Sequence, residues 1–172
     1  MFKLGFCFLA YKGLSQKALW QDFFHKANPN KFGIYCHSKY PKKTRNCNFL
    51  KNHLIDEQIK TSWGSPSLVE ATVNLFKNAI DDGCDYVILL SGSCIPIHSF
   101  NFIYNKLSSN KSILNFDDGA RQEPYFQKKE TLRRFDNSKL INDFCDKQGF
   151  VKSEQWLSLT KKHVNLVDKA HL

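Results

Sequence analysis

No stretch of the 172-residue sequence reaches about 18 apolar residues, so it contains no membrane span. Its six cysteines (Cys7, Cys36, Cys47, Cys84, Cys94, Cys145) include no C-x-x-C pair and no His/Cys ligand spacing. That removes the signatures of zinc sites and dithiol redox sites. Disulfide pairing is left open by the spacing. Neither G-x-x-x-x-G-K nor G-x-G-x-x-G occurs, which excludes the two common Gly-rich phosphate loops. H-E-x-x-H and G-x-S-x-G are missing as well. Acidic residues are scarce, 16 against 25 Lys and Arg, giving a formal charge of +9. Such a balance fits either a solvated lysine surface or an anionic partner: a nucleotide, a nucleic acid or a membrane face. The basic residues are scattered apart from one cluster at 39–45, and no helix carries a basic stripe. Nucleic acid is therefore set aside as a partner. Met1-Phe2-Lys3 and the apolar residues 4–10 imitate a signal peptide, but Lys12 and Gly13 end the run without a small-x-small site. The run reads as a first strand.

What the sequence does contain is a hydrophobic fraction of 42%, 14% aromatics and 15 Phe. This is the composition of a globular chain. Its length suits one domain, with no repeat, linker or low-complexity tract. Residues 4–11 form a buried-strand candidate. Ser15 is a plausible N-cap for a helix carrying Trp20, Phe23, Phe24 and Ala27 at helical spacing, ending near Asn28-Pro29. Residues 32–37 read as a second strand, so the order β-α-β predicts a parallel pair. Residues 40–60 are polar and basic, with a short element near 49–55. A clear helix follows. Either Ser65 caps it with Pro66 in the first position, or Ser67 caps it with Glu70 closing a capping box. Val69, Val73, Phe76 and Ile80 line one face, and Asp81-Asp82-Gly83 end it.

Tyr86 to Leu90 is an unbroken run of β-formers, which suggests a strand buried on both faces in a parallel sheet. Ser91-Gly92-Ser93 follows at its C-terminal end, where open α/β sheets bind ligands. Ser99 opens a helix through Leu107, residues 112–116 form a short strand, and residues 156–159 and 161–170 read as a strand and a helix. The alternation predicts a three-layer α/β domain with a mostly parallel central sheet. The strand end at Ser91 carries hydroxyls and no carboxylate, whereas a metal that bridges a diphosphate wants oxygen ligands there. Asp117-Asp118, after the next strand, could bind a metal or form a solvated turn. Ser91 and Ser93 leave a hydrolase as a weak third idea.

Four blocks in this order resemble the core-2/I-branching β-1,6-N-acetylglucosaminyltransferase family, in its plant and viral branch. The first is Phe8-Leu9 with Trp20, Phe23 and Phe24, and the second is Ile34-Tyr35-Cys36-His37-Ser38. The third joins Trp63-Gly64-Ser65-Pro66-Ser67-Leu68-Val69-Glu70-Ala71 to Leu89-Leu90-Ser91-Gly92-Ser93-Cys94-Ile95-Pro96-Ile97 and the helix from Phe100. The last is Lys152-Ser153-Glu154-Gln155-Trp156-Leu157-Ser158-Leu159. The third block is the specific one.

The resemblance implies a GT-A-like (Rossmann-like) fold, a UDP-sugar donor such as UDP-N-acetylglucosamine, a glycan or other hydroxyl acceptor, and inverting transfer without a metal. Lys or Arg side chains would then neutralise the diphosphate. By position it implies nucleotide-sugar contacts at Tyr11, His37, Ser38, Trp63, Ser65, Ser91, Gly92 and Ser93, in a half spanning about 1–110. It implies acceptor contacts at Asp117, Arg121, Gln155 and Trp156, in a half spanning about 111–172. No metal site and no cofactor beyond the donor are expected. The chain is expected to be soluble as written, in a cytoplasmic setting, viral or host, rather than the Golgi lumen.

The sequence departs from the family at three points. Gly92 stands where the plant-type pattern has Glu, and Ser153-Glu154 stands where it has Gly-Ser before Gln-Trp. The segment with the family's general base and its diphosphate-binding cations would follow Leu172, so no catalytic residue is assigned. A sugar- or nucleotide-binding module without catalysis is the alternative reading.

Overall fold

The computed structural model describes residues 1–46, 49–109, 111–115 and 154–171. Four strands, β1 (Leu4–Ala10), β2 (Phe32–Ser38), β3 (Tyr86–Ser91) and β4 (Ser158–Thr160), form one sheet in the order β2-β1-β3-β4. The flanking helices are α1 (Lys17–His25), the one-turn α2 (Pro41–Thr44), α3 (Ser67–Asp81), α4 (Phe100–Leu107) and α5 (Lys161–His171). β1 pairs in parallel with both β2 and β3. This is the mostly parallel α/β architecture that the alternating elements predict, and it is consistent with a GT-A-like domain. β4 runs antiparallel to β3, so β3 has a parallel neighbour on one side only. Among the described residues no helix is long and apolar enough to cross a membrane.

β1 is apolar at every position because both of its faces are covered. Leu4, Phe6, Phe8 and Ala10 join Trp20, Phe23, Phe24 and Phe100 in one cluster. Cys7, with Leu9 packed beside it, joins Leu75, Phe76, Ala79, Val87 and Leu89 in the other. On the second face the contacts are close. A Cβ added at Gly5 would lie 3.1 Å from Ala79 Cβ. Gly5 starts β1 and Ala79 ends α3, so α3 runs antiparallel to the strands and begins at their C-terminal edge. A polar clasp fixes the other end of α3. Tyr35 donates its hydroxyl to the Asp82 carboxylate, and Lys3 Nζ reaches Asp82 Oδ2 at 2.9 Å. The Tyr35 bond first, and Lys3 second, hold the Asp82 carboxyl below its ordinary range. Burial, aided by the same bond, pushes the Tyr35 phenol up.

Several local expectations are corrected. Ser15 does not cap α1; Gln16 occupies the cap position without a side-chain bond, and the Ser15 N–H instead donates to Gly92 O at 2.8 Å. Neither Ser65 nor Ser67 caps α3. Pro66 holds that position with helical φ of -54°; Ser67 Oγ accepts from Ser62 N at 3.1 Å and pairs with Ser65 Oγ. Ser99 does cap α4, accepting from Phe102 N at 3.3 Å. The strand expected at 112–116 is a single bridge between Ile113 and Ser158, with residue 116 outside the described residues. The strand expected at 156–159 is β4, shifted one residue onward at its end. Val69, expected on the packed face of α3, is 48% exposed.

Candidate functional site

Because β1, β2 and β3 are parallel, their C-terminal ends lie on one edge, the ligand edge of open α/β sheets. Ala10 stands beside Ser38, and Leu9 stands between His37 and Ser91. The fold therefore brings Tyr11, His37, Ser38, Ser91, Gly92 and Ser93 together. Tyr11 is 59% exposed, whereas His37 and Ser38 are buried. Ser38 knots the lip: its N–H donates to Gln58 Oε1 at 2.7 Å, its Oγ lies 2.7 Å from Thr44 Oγ1, and it accepts from Tyr40 N at 3.2 Å. Neither ring nitrogen of His37 has a hydrogen bond of normal geometry among the described residues. Burial pushes its pKa down, and the Ile59 backbone and Glu57 oppose this in part.

The turn after β3 is held by its own side chains. Ser91 Oγ lies 2.9 Å from Ser93 Oγ and accepts from Ser93 N at 3.1 Å. Ser91 N donates to Cys94 Sγ at 3.3 Å. Among the described residues no histidine bonds either hydroxyl, so the base that would activate a serine nucleophile is missing there. Gly92 is dictated by space. An added Cβ would lie 2.5 Å from the Gly13 carbonyl oxygen. The glutamate of the plant-type pattern would displace the loop after β1.

Tyr11 is one half of an aromatic pair. Its ring meets Tyr40 edge to face at 5.0 Å. Lys39 Nζ lies 5.8 Å from the Tyr11 ring centre, and Lys43 Nζ 5.4 Å from that of Tyr40. Tyr40, by hydrogen bond first and charge second, raises the Tyr11 pKa, while the two lysines oppose it. Sequence reasoning saw the basic cluster at 39–45 only as charge. The register of β1 on β2 is what sets it beside Tyr11.

A second wall lies across the sheet. A cavity of about 470 Å³ opens between α3, β4 and α5, floored by Leu89, Leu157, Leu159 and Val167 and rimmed by Trp63, Ser65 and Gln155. Trp63 is 88% exposed and Trp156 42%. Residues expected on the nucleotide side (Trp63, Ser65) and on the acceptor side (Gln155) thus share one rim. Asp117 and Arg121 lie outside the described residues, as do Cys47 and Cys145. Glu154 is exposed, its N–H donating to Asn115 O at 3.1 Å.

Comparison with known proteins agrees with this architecture. The model of the Core-2/I-Branching enzyme family matches residues 4–169. Glycosyltransferase BC10 of Oryza sativa subsp. japonica is 25% identical over 171 residues, which cover 96% of this chain and 40% of the rice protein. The chain thus spans well under half the length of that relative.

Proposed function

The chain belongs to the Core-2/I-Branching enzyme family, and from that premise we propose that it is a glycosyltransferase domain that takes a UDP-sugar donor. The donor would lie across the ends of β1, β2 and β3, and N-acetylglucosamine is the sugar the resemblance favours. Transfer would go to a glycan or other hydroxyl acceptor, with inversion and without a metal. The observation that carries this reading is the shared edge. Three parallel strands end level there, and they present an exposed Tyr11 and the Ser91-Gly92-Ser93 turn. Hydroxyls and backbone groups suit a ribose and a sugar. They do not suit a hard divalent cation, which wants carboxylates. Residues up to about 110 would hold the donor. Gln155 and Trp156 would border the acceptor, where an aromatic face and an amide match the C–H faces and hydroxyls of a sugar.

Inverting transfer needs a carboxylate to take the acceptor proton, and none of Tyr11, His37, Ser38, Ser91, Gly92 and Ser93 carries one. That observation supports a second reading, a module that binds the donor without transferring the sugar. Calorimetric titration with UDP-N-acetylglucosamine in EDTA is the first test. Saturable binding is the expected result, and no heat and no NMR shift at millimolar donor overturns both readings. Incubation with an acceptor panel then separates them: transfer or donor hydrolysis supports the enzyme, and binding without either supports the module.

A further inference from the structure

The lysines are scattered along the sequence, but the fold sorts them by layer. α1 and α4 cover the same face of β1, where Trp20, Phe23, Phe24 and Phe100 pack in one cluster. The stretches that build this layer, 11–31 and 92–109, carry Lys12, Lys17, Lys26, Lys31 and Lys106 against one acid. That acid, Asp22, is taken by Lys26 at 2.6 Å. Among the described residues the other four lysines have no acidic partner. The opposite layer, 67–82 and 161–171, balances four acids with four lysines. The basic layer also projects apolar side chains. Ile97 is 78% exposed and Phe102 52%, and Leu19 and Ile95 are exposed as well. These residues are neighbours. Trp20 Nε1 donates to Cys94 O at 2.9 Å, which seats the segment after β3 against α1. Leu19, Pro96 and His98 line one recess of about 260 Å³, and the His98 ring lies 4.3 Å from that of Phe102.

We propose that this layer is the face by which the protein docks on an anionic lipid bilayer. Ile95, Ile97 and Phe102 enter the interface, and Lys17 and Lys106 meet the headgroups. Charge selects this occupant. A second copy of the chain would set lysines against lysines. A nucleic acid would satisfy the lysines but leave the isoleucines against phosphate and water. A bilayer offers an anionic surface with hydrocarbon directly beneath it, which matches both halves of the patch. The proposal is independent of the donor reading, since none of these residues is among the proposed donor or acceptor contacts.

The test is flotation of the full chain with phosphatidylcholine vesicles, with and without about one-third phosphatidylserine, at low and high salt. The apolar variant is Ile97→Ser with Phe102→Ser, and the charge variant is Lys17→Glu with Lys106→Glu. Leu166→Ser, at an exposed leucine of α5 in the opposite layer, is the control. Wild type is expected to bind the anionic vesicles roughly tenfold or more tighter than the neutral ones, with the gap narrowing as salt rises. The apolar variant should weaken that binding about tenfold. The charge variant should abolish the preference for phosphatidylserine. The control should float as wild type does, and thermal midpoints should stay together because every substituted side chain is exposed or on the surface. No flotation with anionic vesicles overturns the proposal. So does an apolar variant that floats as well as wild type, because the contact is then adsorption by charge alone. A patch that binds RNA and no vesicles is a nucleic-acid surface. One that gives a dimer lost in the apolar variant, again without vesicle binding, is a self-association surface. Either result replaces the bilayer, and UDP-sugar binding, measured separately, is unaffected by all of them.

Discussion

Seen from β1, the face toward α1 is filled with rings, whereas the face toward α3 is mostly aliphatic, with small side chains where helix and strand come closest. On the first, Phe6 meets Phe24 at 5.0 Å and Phe23 at 5.7 Å, both edge to face, and Phe8 meets Trp20 in the same way at 5.0 Å. Aromatic contacts of this kind add to the burial of large apolar area. On the second, Gly5, Cys7, Ala79 and Cys84 let helix and strand approach closely at one end. At the other end the layers part, and the 470 Å³ cavity reaches Leu89. One face is a closed wall, and the other is a floor that stays partly uncovered. The contrast separates the two jobs of a small sheet. Rigidity comes from the fully packed side, and the open cavity lies on the side where packing is incomplete.

The largest effect that would sharpen this contrast is expected from Phe6→Ala. It removes a ring touched by several others and should destabilise the protein by about 4 kcal/mol, read from urea unfolding. Leu89→Ala should cost about 2 kcal/mol, because part of its surroundings is already empty. Equal losses at the two positions would break the comparison. Tyr35→Phe deletes the bond to Asp82 at the closed end of the α3 face, and about 1 kcal/mol is expected from the same assay; no loss would show that small-residue packing alone closes that end.

The smallest effect is one of pH. His37 is buried, and its folded pKa is lowered from 6.5, as is that of His53, by burial in both cases. Below 6.5 the unfolded chain binds protons that the folded chain resists. Stability is therefore full above that value and declines as pH falls through the lowered folded values. Melting curves between pH 8 and 5 should show the decline, and His37→Phe should flatten it. An unchanged slope would remove His37 as its source.

Much of this framework was legible because apolar runs and turn residues act locally. Unbroken runs gave β1 and β3, Gly83 with φ of 83° ended α3, and Ser99 capped α4 as its residue type predicts. The failures share a cause, which is competition from distant partners. Ser15 had the right chemistry to cap α1, yet its backbone is drawn to Gly92, 77 positions away. Ser65 and Ser67 turned toward each other and toward Ser62. The arrangement of the candidate residues was legible in part. Spacing and strand ends located the edge, and Tyr11 with Ser91–Ser93 proved to be neighbours. Spacing could not reveal that His37 is sealed inside, that Lys43 stands over Tyr40, or that Trp63 and Gln155 share a rim. Those facts depend on strand register and on the return of the chain along β4.

The contact between Gly92 and Gly13 has a consequence for how this surface can vary. Two loops from different strands touch there through backbone alone, with no side chain to shorten or rotate away. A larger residue at Gly92 is obstructed unless the loop after β1 shifts in the same step. A library that randomises Gly92 alone is therefore expected to return mostly glycine.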